Sequence, residues 1–445
     1  MPQPLECKQD TMSRADDRNA EVIGKNINES QTTNTPDNAP LDGTKIDDTQ
    51  AGFGPESDVV DWDGENDPEN PMHWPNSKKW TNIATVSILT ILTPLGSSMF
   101  APGIPAILEE FHEDSEVAAT FLMSVYILGF AFGPLLVAPL SEIYGRRPLY
   151  IYGNILFVIF TIATALSQSI GMLIAFRLFM GLIGSVPVTI GSGTIADMMP
   201  VEKRGRAMSA WAMGPLLGPC IGPVAGGFLI QATSWRWVYW LISMLGGILM
   251  FVSYFFLSES STAVLLEKKA ENLRKATGNL QLRSKLDAQV SAKQKVKDAI
   301  LRPLRLLVLT PVVTLMAVYL AINYGILNLL ITTFSFVYPE QYGFEEGTTG
   351  VTFLPAGLGM MIGVLGFGQL TDLNVRRNQA RGIAHRPEVR LTPFLTIPSG
   401  LSLPTGLFIY GWTTQNHVHW IVPMIGVLVY TTGMMGLTVS AKPPL

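Results

Sequence analysis

Apolar residues in this chain of 445 residues gather into long continuous stretches from about residue 80 onward, with short polar connections between them. A helix needs roughly 20 apolar residues to cross the ~30 Å hydrocarbon core of a bilayer. Ten stretches reach that length, near residues 82-104, 118-140, 149-168, 171-196, 207-230, 237-257, 308-337, 349-370, 392-412 and 418-440. The pattern predicts an all-α membrane protein whose helices cross the lipid bilayer repeatedly.

The overall composition agrees with this pattern. The chain is 48% hydrophobic and only 15% charged, whereas soluble domains carry about 25% charged residues. Its net charge of -4 gives no electrostatic support for a nucleic-acid partner. Residues 1-76 are polar and carry few large apolar side chains, so we expect a disordered tail there.

The charges of the connections predict the orientation of the helices. The connection 105-117 is acidic and has no Lys or Arg, whereas the alternate connections carry the basic residues Arg146, Arg147, Lys203, Arg204 and Arg206. Basic connections stay in the cytoplasm, which predicts a cytoplasmic N-terminus. The long Lys-rich loop 258-305 is then also cytoplasmic, and it separates a six-helix bundle at 77-257 from an incomplete four-helix bundle at 306-445.

The fifth predicted span has an unusual glycine and proline pattern. Paired residues recur every four positions, as Gly214, Pro215, Gly218, Pro219, Gly222, Pro223, Gly226 and Gly227. Interior prolines are tolerated in a membrane helix where neighbouring helices cover the freed backbone groups. Glycines four apart lie on one face and let two backbones approach closely. The pattern therefore predicts a tightly packed, pliable membrane helix.

The connection between the second and third spans joins an acid, a glycine turn and two arginines. It contains Glu142, Gly145, Arg146 and Arg147, and Gly133 precedes it in a Gly-Pro-Leu sequence. Arginines at a helix N-terminus oppose the helix dipole and need acidic partners, for which Glu142 and Asp197 are the candidates. We expect these six residues to form a latch that holds the helices in one state. The alternative is ordinary basic loop charge on the cytoplasmic side.

A single ionisable side chain, Arg177, lies deep within a predicted span. Charges at such depth are costly and usually face a cavity or a partner, although a structural arginine satisfied by backbone carbonyls is the alternative. The uncharged residues Asn154, Asn323, Tyr319 and Tyr324 are candidates for a cavity suited to a bulky, weakly polar compound. Aromatic residues in a membrane helix also serve packing or face lipid, and that interpretation stays open.

These motifs together resemble the major facilitator superfamily, in the form found in fungal drug:proton antiporters. The sequence Pro139-Leu-Ser-Glu-x-x-Gly-Arg-Arg resembles the signature between helices 2 and 3, and Arg177-Leu-Phe-Met-Gly resembles the helix 4 motif. The segment Gly214 to Gly227 resembles the helix 5 antiporter motif, and Asn70-Pro-Met-His-Trp-Pro75 resembles the cytosolic lead-in of that branch. The resemblance covers roughly residues 70-440.

The resemblance implies a fold of two helical bundles built from inverted repeats. It implies a plasma-membrane monomer without enzymatic activity or cofactor that expels a small organic compound in exchange for protons by alternating access. In the family the arginine that matches Arg177 is implicated in proton handling. Two alternatives remain, namely an importer of polyamines or other nutrients, and a non-transporting membrane protein or sensor.

The chain departs from the family pattern in two respects. Members have twelve helices, whereas only ten spans are predicted here, so we expect a truncated gene product with a reduced folding yield. The first span also lacks the carboxylate that many relatives use for proton coupling. Phosphate-binding loops, metal-ligand patterns and catalytic triads are absent from the sequence, which gives no support to ATP-driven transport or to enzymatic activity.

Overall fold

The computed structural model describes residues 58–64, 67–113, 115–286, 292–380 and 393–441. The first bundle contains the helices α1 (Asn76–Ser98), α2 (Ile104–Glu110), α3 (Glu116–Tyr144), α4 (Arg146–Ala165), α5 (Ile170–Gly184), α6 (Val186–Met198), α7 (Val201–Ala232) and α8 (Trp235–Phe256). The connecting region contains α9 (Thr262–Thr277) and α10 (Ala292–Leu309). The second bundle contains α11 (Pro311–Tyr342), α12 (Glu346–Val351), α13 (Leu354–Ala380), α14 (Pro393–Gln415) and α15 (Ile421–Ala441).

The helices coincide with the predicted spans. Within the described residues, nine helical segments are long and apolar enough to cross a membrane. The predicted span 392-412 coincides with α14, which is 23 residues long but is not among those nine because proline, serine and glycine dilute its apolar content. The predicted all-α membrane fold is confirmed.

The fourth predicted span, 171-196, is broken where the sequence has Ser185 and Pro187. Helix α5 ends at Gly184, Ser185 lies between the two helices, and α6 continues from Val186 with Pro187 in its first turn. Proline is accepted there because the first turn of a helix has no internal acceptor for its backbone N–H. The break lies beside a close approach of α3, where a Cβ on Gly133 would meet Ser185.

Helix α7 runs without interruption through its three internal prolines. Its glycine row faces α1: a Cβ on Gly214 would lie 3.0 Å from the carbonyl oxygen of Ser87, and one on Gly222 would lie 2.9 Å from the Ser98 hydroxyl. A Cβ on Gly218 or Gly226 would overlap α1 outright. The predicted close packing along one face of this helix is therefore present in the structure.

Residues 58–64 and 67–75, here called the N-terminal strap, pack against the connecting region. Strand β1 (Val59–Val60) pairs in parallel with β2 (Arg283–Ser284), and Val60 joins Ala270 and Leu282 in a small buried cluster. The predicted disordered tail 1-76 is therefore wrong over the strap, because Val60 finds apolar partners more than 200 residues away. Residues 1–57 of that prediction lie outside the described residues.

An ion cluster fixes the strap to α9. The Lys269 ammonium donates to Asp63 and Asp67, with each N–O distance 2.9 Å. Hydrogen bonds from the Asp63 backbone N–H and from Lys269 lower the pKa of Asp67 to about 2. Burial lowers the pKa of Lys269, but the hydrogen bonds to Asp63 and Asp67 outweigh it, so that the pKa of Lys269 is raised. Both groups thus stay charged across the neutral range.

The other end of the strap anchors in the first bundle. Trp74 is buried among apolar residues of three helices, namely Ile83, Ile195, Met198, Met199, Ala207 and Met208. The Lys79 ammonium donates to the carbonyl oxygen of Met72 at 2.6 Å. The strap therefore connects α9 to the ends of α1, α6 and α7.

Candidate functional site

The arginine pair lies at the start of α4, directly after Gly145, whose backbone has the positive φ that favours glycine. Gly145 has φ +95°, and a Cβ there would also lie 2.5 Å from the carboxylate of Glu259. The backbone N–H groups of Arg146 and Arg147 donate to the two oxygens of Glu259 at 2.9 and 3.0 Å. A carboxylate in this position satisfies orphan donors and complements the positive end of the helix dipole.

The side chain of Arg146 makes the predicted ion pair with Asp197. Its Nε lies 2.6 Å from Asp197 Oδ2, and both side chains are largely buried. The guanidinium rests on α6 at Gly193, where a Cβ would lie 2.7 Å from Arg146 Nη2. The pair thus joins the start of α4 to the end of α6.

The predicted partner Glu142 does not take part in the cluster. It lies on the last turn of α3 with its side chain exposed, and among the described residues no ion pair of Glu142 is present. Glu259 takes the expected place of Glu142. The sequence carries a faint sign of it, since Glu259 is the first acidic residue after the sixth span.

Gly133, the remaining member of the predicted latch, lies apart from the charges. A Cβ on Gly133 would meet Ser185 and the carbonyl oxygen of Leu182, and one on Gly129 would lie 2.8 Å from the Leu182 nitrogen. Gly133 therefore serves the close approach of α3 to α5. The structure brings Gly145, Arg146, Arg147 and Asp197 together but leaves Gly133 and Glu142 outside the group.

Arg177 is fully buried at the centre of the first bundle, with 0% of its surface exposed. Its Nε donates to the carbonyl oxygen of Leu122 at 2.8 Å, and Nη1 donates to the Tyr239 hydroxyl at 2.8 Å. A third, longer bond of 3.4 Å runs from Nη2 to the carbonyl oxygen of Ser97. The guanidinium also lies 3.6 Å from the ring centre of Phe100.

The hydrogen bonds of the Arg177 side chain connect α5 to α1, α3 and α8. The cation is held by oxygens and an aromatic face, and among the described residues no carboxylate forms an ion pair with it. The surroundings of Arg177 correspond to the structural alternative considered from the sequence. A role of Arg177 in proton movement stays a hypothesis, and it concerns conformations other than this one.

The polar candidates Asn154 and Asn323 both lie buried between helices. Asn154 Nδ2 donates to the carbonyl oxygen of Gly246 at 2.9 Å, which connects α4 to α8. Asn154 also lines a cavity of only about 10 Å³, which has room for one water molecule but not for an organic substrate. In this structure Asn154 is thus a contact between helices.

In the second bundle Asn323 forms the centre of a smaller polar group. Its Nδ2 donates to the carbonyl oxygen of Tyr319 at 2.8 Å, and the Tyr430 hydroxyl donates to the carbonyl oxygen of Asn323 at 2.9 Å. Tyr324 does not belong to the group, since 44% of its surface is exposed. Tyr430, on α15, is the member that the sequence reasoning missed.

The two bundles contact each other at the ends remote from the Arg146 cluster. A Cβ on Gly227 or Gly350 would overlap the backbone across this seam, and one on Gly357 would lie 2.8 Å from the Cys220 sulfur. The Ser335 hydroxyl donates to the carbonyl oxygen of Ala101 at 2.8 Å. Helix α7 thus presents one glycine face to α1 and another to α12 and α13.

The part of the chain that the structure describes contains no candidate metal-binding site. Among those residues, no group of three or more His, Cys, Asp or Glu side chains is placed to hold a metal ion.

Comparison with known proteins places these features in a family. The protein-family model described as Major Facilitator Superfamily matches residues 86–444 of this chain. "Efflux pump radE" of Floropilus chiversii is 46% identical over 413 residues, which cover 91% of this chain and 76% of that protein. "MFS-type transporter penM" of Penicillium rubens is 46% identical over 377 residues, which cover 85% of this chain and 74% of that protein.

Solved structures share the fold at low sequence identity. The xylose transporter XylE from E. coli, in a partially occluded inward-open conformation, superposes with a TM-score of 0.56 at 16% identity, over 82% of this chain and 83% of that one. A bacterial homologue of the human lysosomal transporter Spinster, in an inward-facing conformation, gives 0.57 at 13% identity, over 82% and 76% of the two chains.

Proposed function

The chain belongs to the major facilitator superfamily, and from that premise we propose that it expels a small organic compound from the cytosol in exchange for protons. The observation that carries the proposal is the 46% identity to a protein named as an efflux pump, over 91% of this chain. The compound would be a drug or a secondary metabolite. The protein would act as a monomer in the plasma membrane, with its N-terminus in the cytoplasm.

The arrangement of the bundles supports alternating access. The bundles 77-257 and 306-445 would rock about a central site, with residues 258-305 as the cytoplasmic connection. The glycine seam between α7 and α12 would close one side, and the two solved structures described above have this fold in inward-facing or inward-open conformations. The Arg146–Asp197 pair and Glu259 would then stabilise one end-state at the opposite side.

Efflux can be tested in a yeast strain that lacks its own drug pumps. We expect cells that make this chain to accumulate less of at least one compound from a panel of drugs and metabolites, and a protonophore should abolish the difference. A panel that includes polyamines tests the opposite direction. Increased uptake of a polyamine or nutrient, with no compound expelled, would contradict efflux.

The proton role proposed for Arg177 has a separate test, the variant Arg177→Gln. Loss of proton-coupled efflux with a normal amount of folded protein at the cell surface would support the role. The matched variant Tyr239→Phe removes one of the partners of Arg177 but keeps the cation. Loss of folded protein in Arg177→Gln would instead assign Arg177 to the architecture of the first bundle.

A further inference from the structure

An open groove of about 640 Å³ lies on the outer surface of the first bundle, between α4 and α8. Residues at four-residue spacing on α4 line one wall, namely Arg147, Ile151 and Ile155, and Phe251, Tyr254 and Phe255 line the other. Phe251 and Phe255 are 62% and 73% exposed, as expected for side chains that face lipid. The groove is thus apolar along its length with one cation at its end.

The cation at that end has unused hydrogen-bonding capacity. Arg147 Nη2 donates to the carbonyl oxygen of Tyr254 at 2.8 Å, whereas Nε is buried and has no hydrogen-bond partner among the described residues. The neighbouring Arg146 is neutralised by Asp197, but no carboxylate of the described residues forms an ion pair with the guanidinium of Arg147. The Arg147 side chain is only half-buried, so an anion in the groove can reach the guanidinium and supply the missing charge partner.

The dimensions of the groove fit one leaflet of a bilayer. The eight helical steps from Arg147 to Ile155 rise about 12 Å along α4, which is close to the ~15 Å that half of the hydrocarbon core occupies. A phosphate held at Arg147 would therefore lie at the level of the head groups while an acyl chain follows the isoleucines and phenylalanines into the leaflet.

We propose that this groove binds an anionic phospholipid of the cytoplasmic leaflet, with its phosphate at Arg147. The proposal rests on the orientation predicted from the loop charges and not on the direction of transport. Anionic lipids are concentrated in the cytoplasmic leaflet, and basic pockets between membrane helices bind their head groups. Because the backbone N–H of Arg147 donates a hydrogen bond to Glu259, the bound lipid would stabilise the same turn that positions Arg146 for its ion pair with Asp197.

The proposal can be tested on purified full-length chain in detergent, without any transport assay. Phosphatidylserine and phosphatidylcholine with the same acyl chains would be added separately, and the midpoint of thermal unfolding and lipid retention in native mass spectrometry would be measured. We expect phosphatidylserine to raise the midpoint more than phosphatidylcholine and to be retained at roughly tenfold lower concentration, as a charge-assisted bond implies. Equal effects of the two lipids would overturn the proposal.

Variants at the cation and in the apolar wall of the groove separate binding of the head group from binding of the acyl chain. Arg147→Gln should remove the preference for phosphatidylserine, whereas the control Arg206→Gln, which removes an exposed cation near Trp80, should keep it. If Arg147→Gln does not fold, Ile151→Trp, which fills the groove and leaves the cation, should weaken retention of both lipids. Glycerophosphoserine, a head group without chains, should not replace the lipid. An unchanged preference in Arg147→Gln, or unchanged retention in Ile151→Trp, would contradict the site.

Discussion

At the scale of single residues, Glu259 is the central acceptor of the charge cluster at the start of α4. Four backbone N–H groups donate to it, those of Arg146, Arg147, Ser260 and Ser261. One carboxylate thus caps α4 and at the same time fixes the segment that leads from α8 into α9. It acts on the backbone, so that the Arg146 side chain remains free to pair with Asp197.

The variant Glu259→Ala tests this assignment. Loss of a helix cap costs about 0.5–2 kcal/mol, and we expect a lower midpoint of thermal unfolding for the purified protein. The matched control is Glu142→Ala, which removes an exposed carboxylate of the same motif and should leave the midpoint unchanged. If Glu142→Ala were the more destabilising of the two, the latch expected from the sequence would be right and the cap described here wrong.

The sequence predicted part of this cluster, and there is a physical reason why it did not predict the rest. Gly145, Arg146 and Arg147 are adjacent, so their motif and the basic loop were enough to place them together. Asp197 was predicted because it lies at the same end of a neighbouring span. Glu259 is 112 residues from Arg147 along the chain. Because it bonds to backbone N–H groups, its only sign in the sequence is its place as the first acidic residue after the sixth span.

At the scale of elements, the strap is a short segment that owes its order to distant partners. Residues 58–64 hold two strand residues only, and a strand of that length is not stable by itself. Its pairing with β2 is supported by the Lys269 ion cluster and by the buried side chain of Val60. The composition of residues 1-76 could not predict this, since composition averages the strap with the polar sequence around it.

The strap should detach at low pH. The pKa of Asp67 is lowered from 3.8 to about 2, so its contribution is fully present above pH 3.8 and is lost as the pH falls through 2. Hydrogen exchange of the Arg283 and Lys285 amides, which donate to the carbonyl oxygens of Asp58 and Val60, reports the pairing. After correction for the intrinsic rate, we expect protection to fall over that interval.

Two variants show whether Asp67 causes that loss. Asp67→Asn should reduce the protection of both amides already at pH 7, because the ion pair with Lys269 is gone. Glu69→Gln alters an exposed carboxylate two residues away and should not reduce it. Full protection in Asp67→Asn at pH 7 would show that the backbone pairing holds the strap without the ion cluster.

At the scale of the whole molecule, α7 belongs to two interfaces at once. Gly226 faces α1 within the first bundle, and its neighbour Gly227 faces Glu346 and Gly350 of the second bundle. The sequence predicted the close packing and the flexibility from the spacing of the glycines. It could not tell which glycine serves which interface, because adjacent helix positions point about 100° apart and the partner helices lie far along the chain.

The variant Gly227→Ala should therefore open the seam between the bundles without unfolding the first one. Its Cβ would overlap the Glu346 carbonyl oxygen and lie 3.1 Å from the Gly350 Cα, so the second bundle must move away. Cys220 is buried, 7% exposed, beneath that seam. In a Cys7→Ser background, we expect a membrane-impermeant thiol reagent to label Cys220 several-fold faster in Gly227→Ala than in the parent chain.

Two further glycines of α7 make the comparison specific. Gly226→Ala forces a Cβ into the carbonyl oxygen of Met99, so it should destabilise the first bundle by roughly 1–3 kcal/mol, as overpacking does. Gly205→Ala meets nothing within 4 Å and should be neutral or slightly stabilising, since alanine is the better helix former. Faster labelling in Gly227→Ala at an unchanged unfolding midpoint indicates that this seam closes one side of the transporter. Labelling at the parent rate would mean that the bundles separate along another surface.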